Sequence, residues 1–595
     1  MKDAAMSRLL LAWVLIAAAC FSCSNPGRAD EKKSVLGRKI DSFTLKDSAG
    51  KAWSLEAHKD AKAIVIVFLG TECPINNAYL PRLADFHKTF GSRGVALIAI
   101  NANQQDIPRR MAEHAAKNQL PFPVLKDAAN IVADRFGAER TPEAFVLDAE
   151  RVIRYRGRID DQFGVGFKRP KPTRDDLAEA VDEVLAGKAV TRPETAVAGC
   201  FIARVNKVSE APAKVTFTQH VAPLLQQHCQ ECHRPGQIGP MPLLTYDDAA
   251  AWSETIREVI AERRMPPWHA DPAHGSFANN RRLPDQDRDT LLAWVAQGCA
   301  QGPATAMPPP RSFPEGWTIG KPDLILSMKE AVKVPATAPD GGIRYQYIIV
   351  PTNFDEDKWI QAAEVHPGSR EVVHHIIVYT RELNRPRGQR TPDGIGDGML
   401  VAYAPGDQPA IFPPGSAKKI PKGRNLIFQM HYTPDGTERL DRSSVGLIFA
   451  KETPKLEART RSIAQQRFMI PPGTANHEVT SAMTFEQDVL LLSLFPHMHL
   501  RGKDFNYRVV YPDGKTDTLL NVPRYDFGWQ TIYRLKKPMT LPKGSRIECT
   551  AHFDNSKDNP NNPNPALPIF WGEQTWEEMM IGFVDYCYLG QPETK

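Results

Sequence analysis

Three groups of side chains in this sequence are of types that do redox or metal chemistry. In the C-terminal half, "EVVHHIIVYT" carries His374 and His375 side by side in an otherwise apolar strand-like run. "FQMHYTP" adds His431, and "FPHMHLRG" adds His497 and His499. Each imidazole needs a polar partner once it leaves water. Histidines at i and i+2 on a strand share a face and can chelate one ion. Adjacent histidines point to opposite faces unless the strand bulges or ends, so His374 and His375 predict a local irregularity with a ligand behind it. Three-histidine sets suit zinc or copper. A thioether shifts the choice towards copper, and "TWEEMMIGFVDY" offers one in Met579, with Met580 beside it.

The second group is "HCQECH", which contains Cys229, Cys232 and His233. Two thiols at this spacing followed by histidine suit covalent attachment of one c-type haem, with His233 on the iron. A disulfide or half a zinc site is the plainer reading of the same thiols. In "RRMPPWHADP", Met265 is the expected sixth ligand, with Met241 and His269 as competitors. The third group is a single thiol, Cys73 in "VFLGTECPINNAY", between a buried strand and a helix. A helix N-terminus stabilises a thiolate. Cys200 is the candidate second thiol, either resolving an oxidised Cys73 or closing a static disulfide with it.

These residues need scaffolds of different kinds. With 595 residues the chain calls for several domains. A net charge of +5, from 74 basic and 69 acidic residues without a basic stripe, argues against a nucleic-acid partner. Lys2 and Arg8 precede the apolar run Leu9 to Ala19 and then Cys20, so residues 1–23 predict an export signal. Cleavage with lipidation at Cys20 and simple cleavage both fit. The expected location is the periplasm or cell envelope, with membrane contact only through such an anchor. An oxidising compartment then permits disulfides among the nine cysteines.

Residues 35–200 alternate strand and helix, with "AIVIVFLG" and "GVALIAIN" of parallel-strand type, which predicts an α/β domain. Residues 214–302 read as almost entirely helical. A proline-rich linker follows at 303–317. From 318 onwards short alternating runs between turn residues predict all-β sandwiches, divided near Pro454 into 318–453 and 454–595.

The Cys73 stretch, together with Thr141-Pro142 in "RTPEAFVLD", resembles the thioredoxin-like and peroxiredoxin-like (redoxin) superfamily over most of 35–200. Asn76 stands where thioredoxins carry their second cysteine, and Gly70, not threonine, stands three residues before Cys73. Dithiol exchange within the motif is therefore excluded. The Met265 segment resembles the methionine loop of small c-type cytochromes. The C-terminal histidines resemble, in order, the ligands of the copper type II, ascorbate-dependent monooxygenases, which include peptidylglycine α-hydroxylating monooxygenase and dopamine β-monooxygenase. That resemblance implies two jelly-roll domains and two copper ions facing each other across a cleft. One copper, held by His374, His375 and His431, would transfer electrons; the other, held by His497, His499 and Met579, would activate dioxygen. Phe495, Ile581 and Phe583 stand where the peptide-hydroxylating member anchors its substrate carboxylate, which implies a small, less charged substrate. The family's cysteine after the methionine ligand is Met580 here, leaving Cys549 and Cys587 as an alternative disulfide.

The resulting expectation is an exported monooxygenase taking a small-molecule substrate and O2, with electrons from an external donor through the haem domain. Cys73 would serve a thiol partner. The alternatives are an electron-transfer or copper-holding protein and a thiol peroxidase or oxidoreductase.

Overall fold

The computed structural model describes residues 34–590 apart from 170, 205–213, 339–342, 381–393, 405 and 407. The export signal and Cys20 lie outside the described residues.

Every residue of Ala63–Phe68 is buried, as the apolar run requires of a central strand. It pairs in parallel with Val95–Asn101 and antiparallel with Glu143–Leu147. These belong to a seven-stranded mixed sheet. Helix Pro74–Gly91 supplies Tyr79, Leu80 and Leu83 to the core on one face of the sheet, and Asp176–Leu185 supplies Leu177 and Val181. Phe68, Phe136 and Phe145 fill the other face. The fold here is α/β and thioredoxin-like, with a cis peptide between Thr141 and Pro142. After the last helix the chain returns, and Cys200–Phe201 pairs with Arg140–Thr141.

The following region departs from the helical expectation. Helices Ala222–His228, Tyr246–Ala251, Ser253–Ala261 and Asp285–Ala296 enclose a small core around Phe217, Trp252 and Trp294. Residues 268–283, however, contain no helix. This stretch lies along the strand Tyr533–Leu541 instead. Ala278 N–H donates to the Arg534 carbonyl and Lys536 N–H to the Ser276 carbonyl, both at 2.8 Å. Trp268 and Phe277 stack edge-on against Tyr533 at 5.0 and 5.4 Å. Ala270 and Phe277 thus belong to the core of the last domain, not to the helical one. Apolar spacing says that a segment is buried; it does not say against what.

The β region comprises two stacked pairs of sheets. In the first, the sheet of Gln346–Val350, Leu426–Tyr432, Val373–Tyr379 and Met399–Tyr403 packs through Ile376, Phe428 and Met430 onto Lys358–His366 and Ser444–Phe449. In the second, the sheet of His477–Thr484, Arg546–Phe553, Gly502–Val510 and Thr516–Val522 packs onto Leu456–Gln465, Met580–Tyr588, Val489–His497 and Tyr533–Leu541. A parallel pairing of Ser416–Ala417 with Leu456–Glu457 makes the two outer sheets continuous. Cys549 and Cys587 are both free, in separate apolar clusters, so the expected disulfide between them is absent.

Candidate functional sites

Cys73 caps helix Pro74–Gly91, and its Sγ lies 3.1 Å from the Thr141 carbonyl. The side chain of Asn76, at the position of the missing second cysteine, does structural work. Its amide donates to the Gly70 carbonyl at 2.6 Å and accepts from Gly70 N–H at 3.2 Å, closing the loop before Cys73. The partner thiol arrives from elsewhere in the chain. Cys200 is in register with Thr141 and its thiol lies beside the Cys73 sulfur. Gly199 makes this approach possible: at φ +151° it occupies a region closed to side chains, and a Cβ there would collide with the Thr141 carbonyl. Burial opposes ionisation of Cys73, but hydrogen bonds from the Cys200 thiol and from the backbone of Asn76 and Cys200 outweigh it and bring the thiol down to about 7. The hydrogen bond to Cys73 pushes Cys200 upwards in turn. The pair is therefore asymmetric, with Cys73 the more acidic thiol.

Cys229, Cys232 and His233 share one turn after Ala222–His228, with His233 N–H bonded to the Cys229 carbonyl at 2.9 Å. The two thiols are not joined, and burial raises both, Cys229 to about 12. His233 Nδ1 donates to the Met241 carbonyl at 3.0 Å, which fixes the tautomer and leaves Nε2 available to a metal. A Cβ on Gly239 would collide with the Cys232 carbonyl and the His233 ring. The donors present fit attachment of a c-type haem. Met241 thus orients His233 through its backbone. Met265 and His269 line a cavity of about 320 Å³ with Trp268 and Arg524, and neither Cys229 nor Cys232 lines it.

In the first sandwich, Val373–Tyr379 bulges between Val373 and His375 where it pairs with Leu426–Tyr432, and His375 lies opposite His431. The bulge brings His374 to the same side. His375 Nδ1 is 3.4 Å from Nδ1 of both His374 and His431, and one ring nitrogen from each of the three lies within 4.8 Å of the others. Burial lowers all three, His374 to about 4, so the rings are neutral donors. Tyr345 packs on His375 and His431.

In the second sandwich the rings of His497 and His499 are 5.2 Å apart. Both Nδ1 atoms are engaged, His497 with Gln530 Oε1 at 2.8 Å and His499 with the Glu577 carbonyl at 3.1 Å. His499 Nε2 is buried with no hydrogen bond of its own. An unpaired buried nitrogen is costly, and a metal ion there would remove the cost. Met579 is partly buried among Phe495, Ile581 and Phe583, two residues before Ile581, the cross-strand partner of His497. Burial lowers His497 to about 4 and His499 to about 3.

Three contributors here carry no signal in their local sequence. Glu578 is fully buried and accepts N–H bonds from His499 at 2.8 Å and Arg501 at 2.6 Å, tying the histidine turn to the methionine segment. Gln530 fixes the His497 tautomer. Phe527 stacks on His374 at 4.9 Å and meets His499 edge-on at 5.9 Å, so one ring lies between the two histidine groups. Thr575 Oγ1 also lies 3.3 Å from His431 Nε2, joining the sandwiches at the site.

The chain matches the AhpC/TSA family over residues 36–156. Residues 36–156 are a redoxin domain. The chain is 25% identical to the thiol-disulfide oxidoreductase ResA of Bacillus thuringiensis (strain Al Hakam), over 25% of this chain and 84% of that protein. It is 28% identical to a chloroplastic peroxiredoxin Q of Populus jackii, over 22% of this chain and 66% of that one. Among solved structures, a hypothetical protein from Sinorhizobium meliloti 1021 is 32% identical, covering 29% of this chain and 96% of that protein, with a TM-score of 0.27. Relatives of the redoxin domain are thus thiol-disulfide oxidoreductases and peroxiredoxins, and the chain is an oxidoreductase at this level.

Proposed function

We propose that this chain is an exported, multi-centre oxidoreductase whose β half hydroxylates a small organic substrate with dioxygen. The observation that carries the reading is the pair of buried, neutral histidine groups facing each other across Phe527, one with three converging Nδ1 atoms and the other with an orphaned Nε2. Copper bound at the two groups would supply one-electron transfer and dioxygen activation, and haem on Cys229 and Cys232 would supply an entry point for electrons. The chain's own residues set the stage. Gln530 and the Glu577 carbonyl hold the second pair of rings in the tautomer that frees Nε2. Glu578 fixes their turn against Met579. Phe527 and Tyr345 keep bulk water from the rings. Two stacked pairs of β-sheets support this reading.

A cavity of about 340 Å³ adjoins the second group, walled by Phe412, Phe495 and Phe583 and by the charged side chains of Lys418, Arg534 and Asp585. Phe495 and Phe583 each lie 6.4 Å from the His497 ring.

A second reading gives the redoxin domain thiol–disulfide exchange through Cys73 and Cys200, and the family match supports it more directly than any comparison supports the first. The two activities are separable. Purified, metal-reconstituted protein is expected to hold two coppers per haem, losing about one in His431→Ala or Met579→Ala, and to take up oxygen only with substrate. Cys73→Ser should abolish disulfide exchange and leave oxygen uptake intact. Zinc in place of copper, or loss of oxygen uptake in Cys73→Ser, would overturn the hydroxylase reading.

A further inference from the structure

The dithiol is largely covered, with Cys73 buried and Cys200 half-buried. Cys73 is 1% exposed, with Cys200 against it, and Cys200 in turn packs on the core of the helical domain. The segment carrying Cys200 is clasped from that side. Arg140 of the redoxin domain binds both carboxylate oxygens of Glu258, at 2.9 and 3.2 Å, and donates to the Gly199 carbonyl at 2.7 Å. Its guanidinium lies 3.9 Å over the Phe201 ring. Phe201 N–H donates to Thr255 Oγ1 at 3.1 Å, and the Trp252 indole lies beside Glu72. Trp252, Thr255 and Glu258 all belong to helix Ser253–Ala261 or its cap. The surface on which another protein would meet Cys73 is occupied by this chain's own helix.

We propose that helix Ser253–Ala261 is a lid over the Cys73–Cys200 pair, latched by Arg140 and Glu258, and that exchange with an external protein disulfide requires the latch to open. The proposal rests on the thiol reading above. With the lid open, the Cys73 thiolate attacks one sulfur of the substrate disulfide, and the departing sulfur takes up a proton. The Cys200 thiolate then attacks Cys73 Sγ and releases the second substrate thiol, which is also protonated. The substrate disulfide gains two electrons and two protons; the chain is left with a Cys73–Cys200 disulfide, which an external dithiol reverses. The helical domain is anchored on its far side by residues 268–283 in the second sandwich, and the redoxin domain is held to the first sandwich by Lys168 Nζ, which donates to the Pro434 carbonyl at 2.8 Å, so opening is a local parting at the latch. Cys200–Phe201 stays paired with Arg140–Thr141 as the helix parts from it, which keeps the two thiols together.

The test uses the reduced full-length chain and a pulse of iodoacetamide, with alkylation of the Cys73 and Cys200 peptides read by mass spectrometry. Glu258→Arg and Arg140→Glu should each speed alkylation of Cys73 by about tenfold, the factor given by about 1.4 kcal/mol of lost docking energy. The double variant, which restores the pair with its charges exchanged, should return the rate towards that of the original chain. Single variants no faster than the original, or a double variant as fast as the singles, would overturn the lid. Reduction of insulin disulfides by the same proteins separates the two ideas. Faster alkylation without any disulfide reduction overturns the thiol reading while the lid stands.

Discussion

Replacing Glu578 should separate its role as an acceptor from its charge. Its carboxylate receives N–H bonds from His499 and Arg501 and lies 4.0 Å from the Arg501 guanidinium. Arg501 is itself 1% exposed, with further bonds to Asn555 Oδ1 and the Trp576 carbonyl, each at 3.0 Å. Burial raises the Glu578 carboxyl to about 7, against the pull of those same donors. Glu578→Leu leaves two buried N–H groups without acceptors, each costing about 1–3 kcal/mol. It also strips a buried guanidinium of its counter-charge, although its other hydrogen bonds remain. A total of about 4 kcal/mol follows, a large share of the ~5–15 kcal/mol that holds a domain together. Glu578→Gln keeps an acceptor oxygen and should cost about 1–2 kcal/mol. In urea unfolding followed by tryptophan fluorescence, the transition of the second sandwich should fall by about 1–2 M in the leucine variant and by less than half as much in the glutamine variant. Copper affinity at the second group should fall about 10–100-fold in the leucine variant, because His499 loses the bond that places its backbone. Equal shifts in the two variants, or no shift in either, would refute the role assigned to the carboxylate.

The metal-free chain should lose stability in mild acid. Burial holds His374 and His497 near 4 and His499 near 3, so in the folded state they stay neutral while their unfolded counterparts bind protons below about 6.5. The unfolded state then carries more protons, and stability falls by about 1.4 kcal/mol per histidine for each pH unit below 6.5, until the folded values are reached. Equal urea midpoints at pH 7.5 and 5.0 would contradict this. Cys200→Ser should raise the midpoint of Cys73 alkylation above pH 7, since the thiol hydrogen bond is the largest influence lowering it; an unmoved pH profile would remove Cys200 from the pair. Trp268→Ala, which breaks the cluster with Phe277 and Tyr533, should cost about 3–4 kcal/mol. The loss should appear in the second sandwich, as seen by hydrogen exchange along Tyr533–Leu541, and protection unchanged there would refute the docking.

What could be read from the sequence was chemistry concentrated in a few residue types. Paired histidines in an apolar strand demand an explanation, and the bulge at His374 supplies the geometry that adjacency required. The α/β alternation around Ala63–Phe68 was legible because a continuous apolar run has few other uses. Gln530, Phe527 and Glu578 were not legible. Each is an ordinary residue whose role depends on a neighbour distant in sequence, and spacing along one chain carries no such information. The course of residues 268–283 within the helical region was not legible for a related reason. Trp268 and Phe277 are apolar in either setting, and only the tertiary packing assigns them to the second sandwich. Cys200 was nameable as a candidate because cysteines are few, but its seat beside Thr141 depends on Gly199 and a two-residue strand, neither of which periodicity reveals.

The docked segment explains how separate domains come to share one site. Residues 521–533 run from the helical domain to both histidine groups. Asn521 accepts from Asp271 N–H through its carbonyl at 2.8 Å, and Arg524 lines the cavity that holds Met265 and His269. Six residues after Arg524, Gln530 holds His497, and Phe527 between them touches His374 and His499. A loop pinned at one end by another domain and at the other by a ligand's tautomer has little freedom, because each contact removes conformations the loop would otherwise explore. Loosening residues 268–283 therefore frees the loop that orients His497, whereas His374, His375 and His431 sit on strands held by their own sheet. The helical domain supports the second histidine group more than the first, and that asymmetry follows from the packing alone.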